Sequence, residues 1–344
     1  MTYNINHLSL KWGCIMKKEN EKLIQIAYAI KNEVKRKPSK NKGRYFNFIF
    51  LCGGAQYEGD NRALLKKLLS KREDIRCLYS ENLFQLLDTN LLTFEELLFE
   101  TSTNVIIIVE SFGSACELGA FSYIDDSINK LIVINDADYK NEASFINDGP
   151  IKKIYDVNNN NVFFETFVYD TANHKRLILS SNLVNRLLDG IPINKSFLEK
   201  DILVENDVLK ISDLSYFQIV IFEIIKFFTA VSFDELIKLI KILYDVKEVL
   251  FHFSSGNTID SSSSLKSDDV IHFLVSLLLE FELIYEKAGI YYINYSSVFN
   301  DNFDFSKQNS LLFKSDYLRS KKYFHDKASV IRIIKQRGYN IWEK

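Results

Sequence analysis

The sequence predicts an α/β protein: a Rossmann-like parallel sheet with helices on both faces, followed by a winged-helix-like C-terminal domain. Two observations predict this fold. Short β-rich runs alternate with helical segments from residue 46 to about 170, a pattern that is typical of a parallel sheet. Beyond residue 214, three helical segments precede a β-hairpin, which is the order of elements in a winged helix.

Each element of the predicted sheet follows from its own pattern. The expected strands are apolar and rich in β-branched or aromatic residues, and they cover 46–52, 75–79, 104–110, 130–135 and 162–168. The expected helices have apolar residues at helical spacing and cover 60–71, 93–100, 115–127 and 171–188. An N-terminal helix is expected at 19–34, before a basic, proline-containing linker.

The C-terminal elements are delimited by capping and turn signals. Helices are expected at 214–229, 233–244 and 267–282, and a hairpin at 283–294 with its turn at 287–289. Ser232-x-x-Glu235 and Ser267-Asp-Asp269 are typical of helix N-termini, whereas the Ser/Asn-rich segment 254–264 predicts a mobile loop. The chain therefore divides into an N-terminal helix and linker, an α/β domain, a winged-helix-like domain and a basic, aromatic tail: 1–45, 46–200, 201–300 and 301–344.

The composition excludes several classes of protein. The 344 residues are 47% hydrophobic, enough to fill the cores of two domains, and the formal net charge of −2 indicates no particular partner. The four cysteines have no metal-ligand spacing, so no metal site is predicted, and as reduced residues they favour the cytoplasm. Charged residues interrupt the longest apolar stretches, so neither export nor a membrane span is expected.

Glu117 is the leading candidate for chemistry. Residues 105–122 predict a buried strand, a Gly/Ser loop and the helix that carries Glu117, which places a carboxylate at the mouth of the sheet. Gly53 and Gly54 follow another strand, where the absence of a side chain would let the backbone approach a ligand. Together these residues predict a small-molecule site at the carboxyl ends of the strands.

Other interpretations of these residues remain open. Ser114-x-x-Glu117 also matches a capping box, in which Glu117 would bond back to the backbone of Ser114. A glycine pair after a strand is often only a tight turn. Cys116 is set aside as a nucleophile, because no histidine lies near it in the sequence to activate it.

Four segments together resemble the effector proteins of bacterial retrons, of the nucleoside deoxyribosyltransferase-like type, which act in anti-phage defence. They are Phe50-Leu-Cys-Gly-Gly54, Glu110-Ser-Phe-Gly-Ser-Ala-Cys-Glu-Leu-Gly-Ala-Phe-Ser122, Asp136-Ala137 and Ser144-Phe-Ile-Asn-Asp-Gly-Pro150. The resemblance implies that Glu117 acts at the anomeric carbon of a ribosyl group. It further implies an N-glycosidase that cleaves the nicotinamide–ribose bond of NAD or the base–sugar bond of a related nucleotide. NAD would then be a substrate, and no cofactor is implied.

The resemblance also implies a set of substrate-binding residues around Glu117. These are Gly53, Gly54, Tyr57, Glu110, Ser111, Gly113, Ser114, Asp136 and Asn147. Asp136 and Asn147 are equally suited to capping a helix or closing a turn. Many deoxyribosyltransferases have an acidic residue six positions before the glutamate, where this chain has Ser111, and this departure argues against transfer to free deoxynucleosides.

The C-terminal tail carries the candidate contacts to a partner. From 314 to 344, nine Lys/Arg stand against three Asp/Glu and alternate with aromatic residues, so the tail could clamp phosphates and stack on unpaired bases. The basic candidates are Lys321, Lys322, Arg332, Lys335 and Arg337. Alternatively, a terminal amphipathic helix docks its apolar face on the protein. The resemblance implies a retron reverse transcriptase with its RNA-linked single-stranded DNA as the restraining partner, and a homo-oligomer is compatible with the sequence.

Two other functions remain open. The chain could be a nucleotide-sensing binding module, in which a winged helix transmits the occupancy of the crevice to DNA or protein. It could also be a DNA-binding repressor with a degenerate N-terminal domain. The third helix of the predicted winged helix is acidic and lacks Lys and Arg over 268–282, which argues against reading of the DNA major groove.

Overall fold

A parallel five-stranded sheet forms the centre of the molecule. The computed structural model describes residues 21, 23–28, 46–54, 60–81, 83–191, 202–228, 230–259 and 265–294. The strands are β1 (Asn47–Cys52), β2 (Ile75–Leu78), β3 (Asn104–Ile108), β4 (Leu131–Asp136) and β5 (Val162–Glu165). Neighbouring strands are parallel and their spatial order is β2-β1-β3-β4-β5, one of the two common doubly wound orders. The predicted parallel sheet is therefore confirmed.

The sheet is buried on both faces. Successive side chains of a strand point to opposite sides, and in β1 Ile49 and Leu51 belong to one apolar core while Phe48 and Phe50 belong to the other. A strand that is buried on both sides has no polar face. This explains why these strands appear in the sequence as continuous apolar runs.

Helices connect the strands across both faces, as predicted. They are α1 (Asn61–Leu69), α2 (Leu91–Thr101), α3 (Phe112–Ser122), α4 (Lys152–Val157) and α5 (Ser181–Gly190). The apolar residues of α1 and α5 fill the core on one face, and those of α2 and α3 fill the core on the other. The side chains of Asp60, Asn90 and Ser180 accept backbone hydrogen bonds at the starts of α1, α2 and α5, which fixes where these helices begin.

Two predictions around residue 170 are wrong. The strand expected at 162–168 ends at Glu165, and the helix expected at 171–188 begins only at Ser181. Between them lies an antiparallel hairpin of two short strands, β6 (Phe167–Tyr169) and β7 (Lys175–Leu177). The Asp170 carboxylate accepts two backbone N–H groups within this turn, at 2.9 and 2.8 Å. Local turn chemistry therefore overrides the helical spacing of the apolar residues.

The C-terminal part contains the three predicted helices and the predicted hairpin, together with strands that were not predicted. Its elements are β8 (Ile202–Glu205), β9 (Val208–Ile211), α6 (Leu214–Phe228), β10 (Ala230–Ser232), α7 (Phe233–Tyr244), β11 (Glu248–His252), β12 (Thr258–Ile259), α8 (Ser267–Glu280), β13 (Ile284–Lys287) and β14 (Ile290–Ile293). They form two sheets, of order β10-β14-β13 and β12-β11-β9-β8. The predicted hairpin turn is confirmed at Ala288 and Gly289, which both have positive φ.

The starts of α7 and α8 differ in their capping. At α7 the predicted capping box is confirmed, because the Glu235 carboxylate accepts the Ser232 N–H at 2.9 Å and the Ser232 hydroxyl accepts the Glu235 N–H at 3.4 Å. At α8, Ser267 is already helical and its hydroxyl donates to a carbonyl of β11 instead. The Asp269 carboxylate accepts a hydrogen bond from the Lys266 N–H at 2.9 Å, which is one half of a capping box.

One apolar core extends through both parts of the chain. The C-terminal helices lie on the same face of the parallel sheet as α2 and α3. Phe48 stacks on Phe281 with ring centroids 4.9 Å apart, and Phe94 meets Phe273 edge-on at 5.7 Å. The proposed domain boundary near residue 200 stays a prediction, and the parts on its two sides pack directly against each other.

Some predictions fall wholly or partly outside the described residues. The N-terminal helix expected at 19–34 is present at 23–28, where Leu23, Ile26 and Ala27 are buried. In the segment 254–264, which is expected to be mobile, residues 254–259 form a turn and β12, and the mobility stays a prediction. Its remaining residues lie outside the described ranges, as do Tyr57, the basic linker and the tail. Within those ranges no helix is both long and apolar enough to cross a bilayer.

Candidate active site

The candidate site lies where β1 and β3 end beside each other. The chain leaves β1 for α1 on one face of the sheet, and it leaves β3 for α3 on the other, so a crevice opens between the two strand ends. β1 continues into Gly53 and Gly54, and β3 continues into Glu110 and Ser111. Ligand sites of open α/β sheets form at such switch points.

Helix α3 begins at Phe112 and not at 115 as predicted. Ser111 is the N-cap: its hydroxyl accepts the Ser114 N–H at 3.1 Å, and the Ser114 hydroxyl accepts the Ser111 N–H at 3.1 Å. The capping-box interpretation of Ser114 and Glu117 is therefore wrong. Glu117 lies in the second turn of α3, beyond the first turn where the helix dipole is strongest, and its side chain lines a cavity.

The cavity has a volume of about 830 Å³, within the range of small-molecule sites. Helix α2 contributes Leu91, Leu92, Glu95 and Glu96. Helix α3 and the residues that follow it contribute Gly113, Cys116, Glu117, Ala120, Phe121 and Tyr123. The turn between β11 and β12 contributes Ser254, Ser255 and Asn257. Cys116, set aside as a nucleophile, is exposed at this surface.

Glu117 has the surroundings of a reactive carboxylate. Its Oε2 atom is buried and has no hydrogen-bond partner within the described part of the chain. Burial raises the pKa of Glu117, whereas a hydrogen bond from the Cys52 thiol and the positive charge of Arg62 lower that pKa. Cys52 stays a neutral donor, because burial raises the pKa of its thiol. A buried oxygen without a partner is costly, and a carboxylate with a perturbed pKa beside a cavity is a candidate for a functional group.

Glu95 is a second carboxylate at the cavity, and it was not predicted. Its side chain is 8% exposed, and its Oε2 atom also lacks a partner among the residues described. Burial, followed by the negative charge of Glu117, raises the pKa of Glu95 to about 7. Glu95 and Glu117 therefore form an acid pair in which Glu95 is partly protonated near neutral pH. The sequence signal that could have identified Glu95 is its position between Phe94 and Leu98, two buried residues on the apolar side of a predicted helix.

Glu95→Gln is expected to flatten the pH dependence of stability. Because the pKa of Glu95 is about 7 in the folded protein against an ordinary 4.5, the folded state binds more protons than the unfolded state between these values. The free energy of unfolding is therefore highest below the ordinary pKa and falls as pH rises through the folded one, by on the order of 3 kcal/mol. Urea unfolding at about pH 5 and about pH 8 measures this difference. If the parent and Glu95→Gln lost the same free energy of unfolding between the two pH values, Glu95 would not be the group with the raised pKa.

Glu110 holds the two strand ends together. Its carboxylate accepts the Gly54 N–H at 3.1 Å and the Asn61 side-chain amide at 2.5 Å. Asn61, the first residue of α1, in turn hydrogen-bonds the backbone of β7, so the contact extends from the end of β3 through α1 to the hairpin. Burial raises the pKa of Glu110. Substrate binding by Glu110, Ser111 and Ser114 stays a prediction. The Glu110 carboxylate hydrogen-bonds Gly54 and Asn61, and the two serine hydroxyls hydrogen-bond the backbone at the start of α3.

Gly53 is needed for close packing beneath the crevice, and Gly54 is not. A Cβ atom on Gly53 would lie 3.1 Å from both Arg62 Cγ and Glu110 Oε1, whereas the nearest neighbour of a Cβ on Gly54 would be Glu110 Cγ at 3.5 Å. We expect Gly53→Ala to lower the free energy of unfolding by about 1–3 kcal/mol, as overpacking does, and Gly54→Ala to be tolerated. Paired urea unfolding curves test this, and equal midpoints would contradict it.

Asp136 and Asn147 lie away from Glu117. The Asp136 carboxylate, at the end of β4, forms an ion pair with Lys175 at 2.7 Å and accepts the Asp138 N–H at 3.0 Å. The Asn147 side chain donates to the carbonyls of Tyr139 and Glu142, at 2.7 and 2.8 Å. Neither residue lines the cavity. The turn-closing alternative thus accounts for the contacts of Asn147 and for the Asp136 hydrogen bond to Asp138, whereas the ion pair joins Asp136 to β7.

The fold and the site define a class: an α/β protein with a doubly wound sheet and, between α2 and α3, a cavity lined by the pair Glu95 and Glu117. The chain belongs to a family of retron effectors, because the family model described as STM3845 retron effector protein matches residues 58–286, more than half of it.

Two relatives come from Escherichia coli. The "Retron Ec73 putative ribosyltransferase/DNA-binding protein" is 34% identical over 150 residues, which are 40% of this chain and 48% of that protein. The "Retron Ec86 putative ribosyltransferase/DNA-binding protein" is 39% identical over 120 residues, which are 33% of this chain and 39% of that protein. The chain spans less than half the length of each of these relatives.

Proposed function

We propose that this retron effector is a toxic N-glycosidase with a nucleoside deoxyribosyltransferase-like fold. It cleaves the nicotinamide–ribose bond of NAD or the base–sugar bond of a related nucleotide. The observation that carries the proposal is the unpartnered, buried Oε2 atom of Glu117, in a side chain that lines a cavity between α2 and α3. The names of both relatives include ribosyltransferase, which supports chemistry at a ribosyl carbon.

Glu117 would act on the charge that appears at the sugar. When the C1′–N bond breaks, its electron pair leaves with the base, and positive charge develops on C1′ and the ring oxygen. An ionised carboxylate beneath the sugar stabilises this transition state more than the ground state, or bonds to C1′. Water then adds to C1′ and gives up a proton, which completes hydrolysis. Cys52 and Arg62 favour the ionised form of Glu117 that this role requires.

Glu95 would supply the proton that some leaving groups need. Nicotinamide departs from NAD as a neutral molecule, because its ring nitrogen is already positively charged in the substrate. A purine or pyrimidine departs as an anion unless it is protonated. With a pKa of about 7, Glu95 can donate a proton at neutral pH. The acid pair therefore suits either kind of substrate, and only the second kind depends on Glu95.

The restraint by a retron reverse transcriptase and its RNA-linked single-stranded DNA is also part of the proposal, as is a cytoplasmic location. Membership of the retron effector family and the DNA-binding names of the relatives support it. The order α6, α7, α8 and hairpin fits a winged helix, yet α8 carries Asp268, Asp269 and Glu280 and no Lys or Arg. Contact through a protein surface or through the basic tail therefore fits better than groove reading by α8.

The test is the release of free base. Purified chain, alone and together with the reverse transcriptase and its RNA-linked DNA, would be incubated with NAD, deoxynucleosides and deoxynucleotides and followed by chromatography. Release of nicotinamide or another base is expected, with toxicity in the host cell as its consequence. Binding without release in either setting would favour a nucleotide-sensing module instead. The observation that favours such a sensing module is that the C-terminal part of the chain contributes to the cavity wall.

A further inference from the structure

A turn from the C-terminal part of the chain forms one wall of the cavity that contains the acid pair. Ser254, Ser255 and Asn257 line the cavity together with Glu95 and Glu117, although more than a hundred positions separate the two sets in the sequence. This turn, residues 253–257, is called the cavity loop below. Its backbone is closed by two hydrogen bonds, from the Phe253 N–H to the Asn257 carbonyl at 2.8 Å and from the Gly256 N–H to the Phe253 carbonyl at 2.9 Å.

Two carboxylates of α2 hold the cavity loop in place. Glu96 accepts a hydrogen bond from the Ser255 hydroxyl, and its two oxygens lie 3.2 and 3.3 Å from the Asn257 side-chain nitrogen. Glu100, which is buried, accepts the Ser254 N–H at 2.9 Å and the Ser254 hydroxyl at 3.1 Å. Because carboxylates accept all five of these hydrogen bonds, the bonds are of the stronger, charge-assisted kind.

Helix α2 therefore serves both the acid pair and the cavity loop. Glu95 lines the cavity, and the adjacent residue Glu96 holds the wall that the loop supplies. A nucleotide that has its C1′ at Glu117 and fills the cavity reaches this wall. The donors of the loop are taken by Glu96 and Glu100, and the hydroxyl oxygens of Ser254 and Ser255 can still accept hydrogen bonds from the sugar hydroxyls of a nucleotide.

We propose that the cavity loop sets the affinity for the nucleotide substrate, and that Glu96 is the positioning residue that holds the loop against the site. The inference rests on the proposed function and adds to it a route of control. A partner that binds the C-terminal part and displaces the loop changes substrate affinity without touching Glu117. Such an effect is a coupling between two sites through one structural element.

A pair of substitutions tests the contact by breaking and then restoring it. Asn257→Asp replaces the donor with a second carboxylate opposite Glu96, and two like charges at hydrogen-bond distance repel each other. Adding Glu96→Gln restores one donor and one acceptor, with the direction of the hydrogen bond reversed. We expect Asn257→Asp to raise KM about tenfold or more with kcat changed less than about threefold, and the double variant to return to within about threefold of the parent KM.

A second measurement reads the loop without substrate. The Ser254 amide donates to Glu100, so its hydrogen-exchange rate reports whether the loop is in place. Exchange should be faster in Asn257→Asp and restored in the double variant. Asn185→Asp, the same change at an exposed position of α5, is the matched control and should alter neither exchange nor KM.

Each outcome decides the inference. Faster exchange with an unchanged KM would overturn it, because the loop would then not be part of the substrate site. A double variant that stays defective would exclude Glu96 as the positioning residue. If the parent released no base, the proposed function would fail, and the same three proteins would be compared by calorimetry for affinity to NAD. Affinity that was absent or equal among them would overturn the inference as well.

Discussion

Replacement of Glu117 by glutamine is expected to abolish base release while leaving the protein folded. Glutamine has the same shape but no charge, so it cannot stabilise the positive charge that develops at C1′. Loss of one such electrostatic contact at a reacting centre lowers kcat by about 10³-fold. The measurement is the rate of base release by parent and variant on whichever substrate the parent turns over.

The same substitution should not destabilise the protein, and this separates catalysis from structure. Burial raises the pKa of Glu117, so the ionised carboxylate is disfavoured in the folded state and costs stability as pH rises through that pKa. Glu117→Gln removes this cost, and its urea midpoint at neutral pH should equal or exceed that of the parent. Glu280→Gln, at an exposed position of α8, is the matched control and should retain full activity. A Glu117→Gln variant that released base at the parental rate would refute the proposed function.

The parallel sheet could be predicted because its strands are buried on both faces. The run of β-branched residues in β3 has no polar alternative, and Gly53 and Ser111 mark where β1 and β3 give way to loops. The spatial order of the strands is a property of tertiary packing, and no local pattern contains it. The hairpin of β6 and β7 was missed because the turn made by the Asp170 carboxylate competes with a helical spacing of apolar residues.

The candidate site could be predicted only at the residues that follow the strands. Ser111 and Ser114 are three positions apart and both suit a helix N-cap. The sequence alone therefore did not decide where α3 begins, or whether Glu117 caps the helix or lies at a small-molecule site. Glu95 was missed because a single sequence does not distinguish a carboxylate in a cavity from one in solvent. The contribution of Asn257 depends on the approach of a turn that is remote in the chain.

Replacement of Arg62 by methionine is expected to be the most destabilising change at the site. Arg62 is 5% exposed, and its guanidinium pairs with Glu81 at 2.8 Å and lies 3.7 Å from the Asp60 carboxylate. Its positive charge also lowers the pKa values of Glu95 and Glu117. Methionine would preserve much of the volume but leave the carboxylates of Asp60, Glu95 and Glu117 without this cation, whereas Glu81 is half exposed and stays solvated. Breaking a buried ion pair by removing one partner costs about 3–5 kcal/mol of the free energy of unfolding.

The pH dependence of this loss identifies its cause. Without the cation of Arg62, the carboxyl pKa values in the folded state rise further, so the folded protein binds still more protons than the unfolded one. The penalty of Arg62→Met should therefore be larger at about pH 8, where these groups must ionise, than at about pH 5. Arg176→Met is the matched control, because Arg176 pairs with Asp170 near the surface and such pairs contribute little. If both variants lost the same stability at both pH values, Arg62 would be an ordinary structural cation, and the ionised state of Glu117 would have to depend on the Cys52 hydrogen bond and on solvent.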